Sequence, residues 1–296
     1  MPRIAIVTTH PEFFTAADPD RDCAPLVAAL RARGVEAESV AWRDESADWT
    51  AFDLAVIRSP WDYVLHADEF AAWLFRTGAR TRILNEPELV RWNMDKRYLQ
   101  ELEAAGVAVV PTTWHTDEAS LRAALAEHAD GAHVVVKPAV GAGSQDTGLF
   151  AHDDAGAIEL GRRILDGGGT VMLQPEIPEL SAGREKALYT IDGRLTHAVA
   201  KGALLARGGG LRGGVYQEDP QVVGVSAADA AFAEQVLAAV AEVTGIGTPL
   251  YGRIDVVDSA EHGLVLLEAE LFEPTYNLHL VPDVVEVFAE AILARV

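Results

Sequence analysis

Short apolar runs separated by polar or Gly/Pro punctuation dominate the N-terminal part of the chain: "RIAIVTT", "APLVAALRARG", "VEAESVAW" and "FDLAVIRSPWDY". Read in order they predict strand, helix, strand and strand, the beginning of an open, largely parallel α/β sheet. "DEFAAWLFRTG" and "DKRYLQELEAAG" space their apolar residues for helices and end at Gly78 and Gly106, in the C-terminal position that glycine favours. A first boundary follows near Trp92 to Asp95. Beyond it, "ASLRAALAEHA" and "AGAIELGRRILDGG" read as helices, and "HVVVKPAV" and "TVMLQPEI" as strands, of a small α+β unit. "EKALYTIDGRLTHAVAKG" predicts a hairpin turning at Asp192 and Gly193. A glycine-rich loop, a long helix over Ala227 to Thr244 and a last hairpin complete the chain. The expected organisation is three units, 1–94, 95–177 and 178–296.

The last hairpin, Tyr251 to Pro274, carries charge where a core strand is normally apolar. Side chains two apart on a strand share a face, so Arg253 and Asp255 lie together, as do Glu268 and Glu270. A turn centred near Glu261 sets Asp255 opposite Glu268 and Arg253 opposite Glu270. The other face then carries Ile254, Val256, Leu267 and Ala269. Three carboxylates crowd one arginine, and they raise each other's pKa unless a cation lies among them. Hard oxygen ligands of this kind suit Mg2+ or Mn2+, which makes Asp255, Glu268 and Glu270 candidate metal ligands. A solvated outer face of a hairpin is the alternative.

Composition tempers that reading, because the 296 residues include 45 acidic against 24 basic side chains. Carboxylates are common everywhere in this chain. The formal net charge of −21 opposes binding to nucleic acid or to an anionic membrane, and no segment approaches the ~18 apolar residues of a membrane span. The N-terminal apolar run is too short for a signal peptide. One cysteine, Cys23, excludes an internal disulfide and fits a cytoplasmic location, and nothing near it marks an activated nucleophile. Association of identical copies stays open.

"VVVKPAVGAGSQDTG" places Lys137 at the end of a buried strand, before a loop with Gly141, Gly143, Ser144 and Gly148. Glycine lets backbone N–H groups approach phosphate oxygens closely. The spacing matches neither a Walker loop nor the dinucleotide fingerprint. The strand-borne lysine beside the loop is what favours phosphate over a merely flexible turn.

With these segments in view, the chain resembles the ATP-grasp superfamily of carboxylate-amine ligases over nearly its whole length. The resemblance implies an N-terminal open, mostly parallel sheet followed by two α+β units that sandwich ATP. "DK" of "WNMDKRYL" resembles the first phosphate-side lysine, Lys96, and "VVVKP" the second, Lys137. "LQPEI" resembles the adenine-reading segment, with Gln174, Pro175, Glu176 and Ile177, and either Glu179 or Glu185 on the ribose. "LEAE" resembles the metal-binding E-x-N element, with Glu270 where many members carry Asn. "VIRSPWDY", "LNEPELVRWNMDKRYLQELEAAGV" and "AELFEP" resemble the branch containing the cyclo-ligase that forms D-cycloserine from O-ureido-D-serine.

The implied chemistry is ATP-dependent activation of a carboxylate as an acyl phosphate, then attack by an amine, with Arg253 stabilising the developing negative charge. Lys201 precedes "ALLARGGGLRGG", whose glycines surround Arg207 and Arg212 and suggest a lid bringing cations to the γ-phosphate. Arg58 ends a strand at the carboxyl edge where open α/β sheets bind ligands. With Ser59, Asp62 and Tyr63 it could hold an amino acid; the alternative is a structural arginine paired with Asp62. The expected activity is ring closure of a serine-derived amino acid. A two-substrate amino-acid or dipeptide ligase and a silent nucleotide-binding module are the competing readings.

Overall fold

The computed structural model describes residues 1–14, 19–214 and 219–296. Its first sheet is built from β1 (Arg3–Thr8), α1 (Cys23–Ala32), β2 (Glu36–Ala41), β3 (Leu54–Ser59), α2 (Ala67–Gly78) and β4 (Arg82–Leu84). The strands run parallel in the order β2-β1-β3-β4. β3 is buried at every position, as a parallel strand covered on both faces must be. β4 escapes the periodicity because it has only 3 residues. Gly78 is the last helical residue of α2 and not a left-handed cap, unlike Gly106 with φ of 90°. A Cβ at Gly78 would lie 3.0 Å from the Pro87 ring, so close packing explains that glycine.

α3 (Pro87–Asn93) and α4 (Tyr98–Ala104) lead to a second, antiparallel sheet. It comprises β5 (Thr113–His115), α5 (Glu118–Ala126), β6 (His133–Pro138), β7 (Gly148–Ala151), α6 (Ala155–Asp166) and β8 (Val171–Pro175), with strand order β5-β8-β6-β7. Leu121 and Leu125 of α5 and Leu160 and Ile164 of α6 share a core with Val134, Val136, Val171 and Leu173 of the strands. Gly148 opens β7 and leaves the loop, because a Cβ there would meet the Phe150 ring at 2.4 Å.

The remaining elements are α7 (Pro178–Ser181), β9 (Glu185–Ile191), β10 (Arg194–Lys201), β11 (Gln221–Val223), α8 (Ala227–Thr244), β12 (Tyr251–Ser259), β13 (Gly263–Glu270) and α9 (Asp283–Leu293). Their strands form a third sheet in the order β11-β10-β9-β12-β13, antiparallel throughout. α8 starts with a capping box on Ser226 and Asp229 and ends at left-handed Gly245. It packs Phe232, Val236 and Val240 against Leu188, Ala198 and Ile254 of the sheet. α9 returns to the start of the chain, where Phe288 and Ile292 join Leu26 and Leu30 of α1 in one core. No helix among the described residues is long and apolar enough to cross a membrane.

Candidate active site

The charged hairpin has the expected register: Arg253 pairs with Glu270 and Asp255 with Glu268. A bulge then intervenes, because Val256 pairs with Leu266. Leu267 is the extra residue, so it leaves the apolar face and lines a cleft instead. That cleft is walled by the second and third sheets. Lys137, Gln174, Glu176 and Ile177 line it from one side, and Glu185, Lys201, Arg253, Asp255, Glu268 and Glu270 from the other. Lys96, Gly141, Gly143 and Ser144 close one end.

Each cleft cation has a distinct environment. Lys96 Nζ donates to the Gly141 carbonyl at 2.6 Å and pairs with Glu268 at 2.9 Å, so one lysine ties the glycine loop to β13. Burial opposes its charge, but Glu268, Glu273 and Glu270 together outweigh burial and raise its pKa. Lys137 is different: burial pushes its pKa down, and among the described residues no hydrogen bond offsets it. Lys201 Nζ lies 2.9 Å from Glu185 and 2.8 Å from Asp255. Arg253 pairs with Asp255 and Glu270. The three hairpin carboxylates therefore do not all surround Arg253, since Glu268 is taken by Lys96, which arrives from a distant segment.

Those pairings set the electrostatics. Burial acts to raise the pKa of Asp255, but Arg253 and Lys201 overcome it and hold the carboxyl below its ordinary range. Glu270 goes the other way, pushed up to about 8 by burial and by its acidic neighbours despite Arg253. The cleft thus holds more carboxylate than its own cations neutralise, and oxygen donors in that state suit a hard divalent ion. Among the described residues no group of three His, Cys, Asp or Glu side chains is already arranged to hold one. An ion would displace the protein's own cations from these carboxylates.

Several sequence expectations are corrected. Pro175 lies outside the cleft lining, on the opposite side of its strand from Gln174 and Glu176. The Glu176 N–H is already donated to the His133 carbonyl at 2.9 Å. Of the two ribose candidates, Glu185 lines the cleft, whereas Glu179 accepts from the Ala260 N–H at 3.2 Å in the β12–β13 turn. The glycine-rich segment folds against β7 through a bridge between Leu149 and Arg207. Arg207 pairs with Glu176 at 3.0 Å and Arg212 donates to the carbonyls of Leu205 and Ser181, so neither arginine lines the cleft; Leu204 and Leu205 do.

The proposed amino-acid grip is also absent from the cleft. Arg58 is 1% exposed, 3.6 Å from Asp22, and boxed by the rings of Tyr251, Tyr276 and Phe288 at 4.6, 4.9 and 5.2 Å. Its Nη2 donates to the Pro274 carbonyl at 2.9 Å. It is a structural arginine, but its partner is Asp22 and not Asp62. Asp62 accepts from the Trp42 indole at 2.6 Å, and Ser59 bonds Thr8 and Asp20. Tyr63 reaches the cleft only through Glu273, whose carboxylate accepts its hydroxyl at 2.6 Å. Glu273 lines the cleft and was missed, although "AELFEP" contained it; it lies past the end of β13, where alternation no longer indicates a face.

Known proteins carry the same arrangement of elements. Residues 4–85 match the family model described as D-cycloserine synthetase DcsG, N-terminal domain. Over 287 residues the chain is 36% identical to the cycloserine biosynthesis protein DcsG of Streptomyces lavendulae, covering 93% of this chain and 94% of that protein. The crystal structure of D-cycloserine synthetase DcsG superposes with a TM-score of 0.91 at 35% identity, over 99% of both chains. More distant likenesses share the fold. A RimK domain ATP-grasp protein from Sphaerobacter thermophilus gives a TM-score of 0.67 at 22% identity over 98% of both chains. The ATP-grasp ligase PsnB, complexed with a minimal precursor, Mg and ADP, gives 0.62 at 19% identity over 98% of this chain and 97% of that one.

Proposed function

The chain belongs to the D-cycloserine synthetase family of ATP-grasp ligases, and we propose that it activates the carboxylate of a serine-derived amino acid with ATP and closes a ring onto a side-chain nitrogen. It is an enzyme, a ligase. The observation that carries the finer reading is the meeting of Lys96, Lys137, Lys201 and Arg253 with Asp255, Glu268 and Glu270 in one cleft. In this reading 1–94 is the substrate-side unit, and 95–177 and 178–296 are the halves that hold ATP.

Lys137, Lys96 and the amides of the glycine loop bind the triphosphate. Gln174, Glu176 and Ile177 flank the base and Glu185 the ribose. Asp255, Glu268 and Glu270 would hold Mg2+, which when bound supplies positive charge at the phosphoryl oxygens. A carboxylate oxygen of the amino acid bonds the γ-phosphorus as the bond to the β-phosphate oxygen breaks, giving ADP and an acyl phosphate. The side-chain nitrogen then bonds the carbonyl carbon and loses its proton, and the C–O bond to phosphate breaks. Arg253 receives the negative charge that collects on the carbonyl oxygen. Leu204, Leu205 and Leu267 line the cleft with apolar surface and limit water, which protects the acyl phosphate from hydrolysis.

Ring closure needs one organic substrate, because tethering the nucleophile gives effective concentrations of ~10⁵ M or more. A single serine-derived amino acid such as O-ureido-D-serine, supplied with ATP and Mg2+, should release ADP and phosphate in step with a cyclised product seen by mass spectrometry. ADP release only when a second amino acid or amine is added would replace cyclisation by two-substrate ligation.

A further inference from the structure

The cleft carboxylates differ in one respect that the phosphate and metal roles leave unused. Asp255, Glu185, Glu268, Glu270 and Glu176 each pair with a cationic side chain of the protein. Glu273 does not: among the described residues its carboxylate bonds only the neutral Tyr63 hydroxyl. It is 8% exposed yet lines the cleft. Lys96 and Arg253 act on it only from a distance, and a buried carboxylate with no cation in contact is unfavourable unless a ligand brings one.

Its position is held with care from outside the cleft. The Trp61 indole N–H donates to the Glu273 carbonyl at 2.9 Å, and Arg58 donates to the next carbonyl, Pro274, at 2.9 Å. Tyr63 then orients the carboxylate itself. Three residues of "RSPWDY" therefore grip two consecutive residues of "FEP", and the N-terminal unit presents Glu273 to the cleft. Among the described residues such bracing leaves one carboxylate oxygen without a protein donor.

Resting on the reading of the cleft as an amino-acid ligase site, we infer that Glu273 is the receptor for the α-ammonium group of the substrate, with Tyr63, Trp61 and Arg58 as its positioning residues. An amino acid supplies a cation in direct contact when it binds, and its carboxylate is thereby directed toward the phosphate-bearing end of the cleft. The α-ammonium takes no part in bond making. Carboxylic acids lacking it are discriminated against, because they leave Glu273 buried and unpaired.

The test is a cycle between enzyme and ligand. kcat/KM for ADP release is measured for the amino acid that best supports it and for its des-amino analogue, with wild type, Glu273→Gln and Tyr63→Phe. Wild type should prefer the amino acid by roughly 30-fold or more, the value for losing one partner of a buried charge pair. Glu273→Gln should reduce that preference to about threefold or less with KM for ATP unchanged, and Tyr63→Phe should reduce it in part. A preference kept by Glu273→Gln, or a loss expressed in KM for ATP or in the Mg2+ requirement, would overturn the assignment. Equal wild-type rates with both acids would overturn it too. If the favoured amino acid is not one that cyclises, the ring-closing proposal fails while the ammonium test is read unchanged.

Discussion

Replacing Lys137 by methionine should stabilise the nucleotide-free protein and cripple its ATP binding at the same time. Burial depresses the Lys137 pKa; Glu268, Glu185 and Asp255 offset it only in part from a distance, and among the described residues no hydrogen bond or ion pair does. The charged form is therefore penalised in the native state relative to the unfolded chain, where water solvates it. Methionine keeps an unbranched apolar stem and removes the charge, so the sign of the stability change is positive. Binding moves oppositely. A buried cation facing a phosphate contributes about 2–5 kcal/mol, which is a loss of ~30- to ~4000-fold in affinity. Calorimetry with a non-hydrolysable ATP analogue reads the second effect. Thermal melts read both: ligand at about 100 times Kd stabilises the wild type by ~2.7 kcal/mol, which should fall to about 0.9 kcal/mol or less in the variant at that concentration. A lower Tm for the nucleotide-free variant, or an affinity within threefold of wild type, would refute the reasoning.

The other predictions concern the carboxylates, the buried arginine and one histidine. Glu268→Gln and Glu270→Gln should each abolish ATP turnover while leaving the fold intact, and near-normal turnover of both at saturating Mg2+ would remove them from the metal site. Arg58→Met should cost about 3–5 kcal/mol in chemical denaturation, because Asp22 loses its buried cation. KM for ATP in the folded fraction should not change, whereas KM for the amino acid should rise modestly because the Pro274 carbonyl next to Glu273 loses its donor; full stability of the variant would count against the Asp22 pairing. Burial lowers the His197 pKa from 6.5 to about 4. Its contribution is complete above pH ~6.5, where both states are neutral, and is lost as pH falls toward ~4, where the unfolded chain gains the proton first. Urea titrations should show that loss, on the order of 3 kcal/mol, and His197→Phe should flatten it; an identical slope in the variant would count against a neutral buried imidazole.

The chain alone determines what local periodicity and short-range register can carry. The parallel first sheet, the bounds of the long helix Ala227–Thr244, the turn at Asp192 and Gly193, and the pairing of Arg253 with Glu270 are all legible there, because alternation and turn chemistry act over a few residues. Cα neighbours of Asp255 across the hairpin follow from counting. Which cation each carboxylate meets does not. Lys96 on Glu268 and Lys201 on Asp255 link segments far apart in the chain, and only the packing of sheets brings them together. Arg58 shows the same limit: its place at a strand end suggested a ligand, yet Asp22 and three aromatic rings from the distant C-terminal part enclose it. Glu273 is the converse case, a residue past the last strand whose side chain is aimed by a tyrosine and whose backbone is pinned by a tryptophan, both from the short helical turn that follows β3. Burial and charge neutralisation are properties of the assembled volume, and a linear pattern specifies them only through the fold it produces.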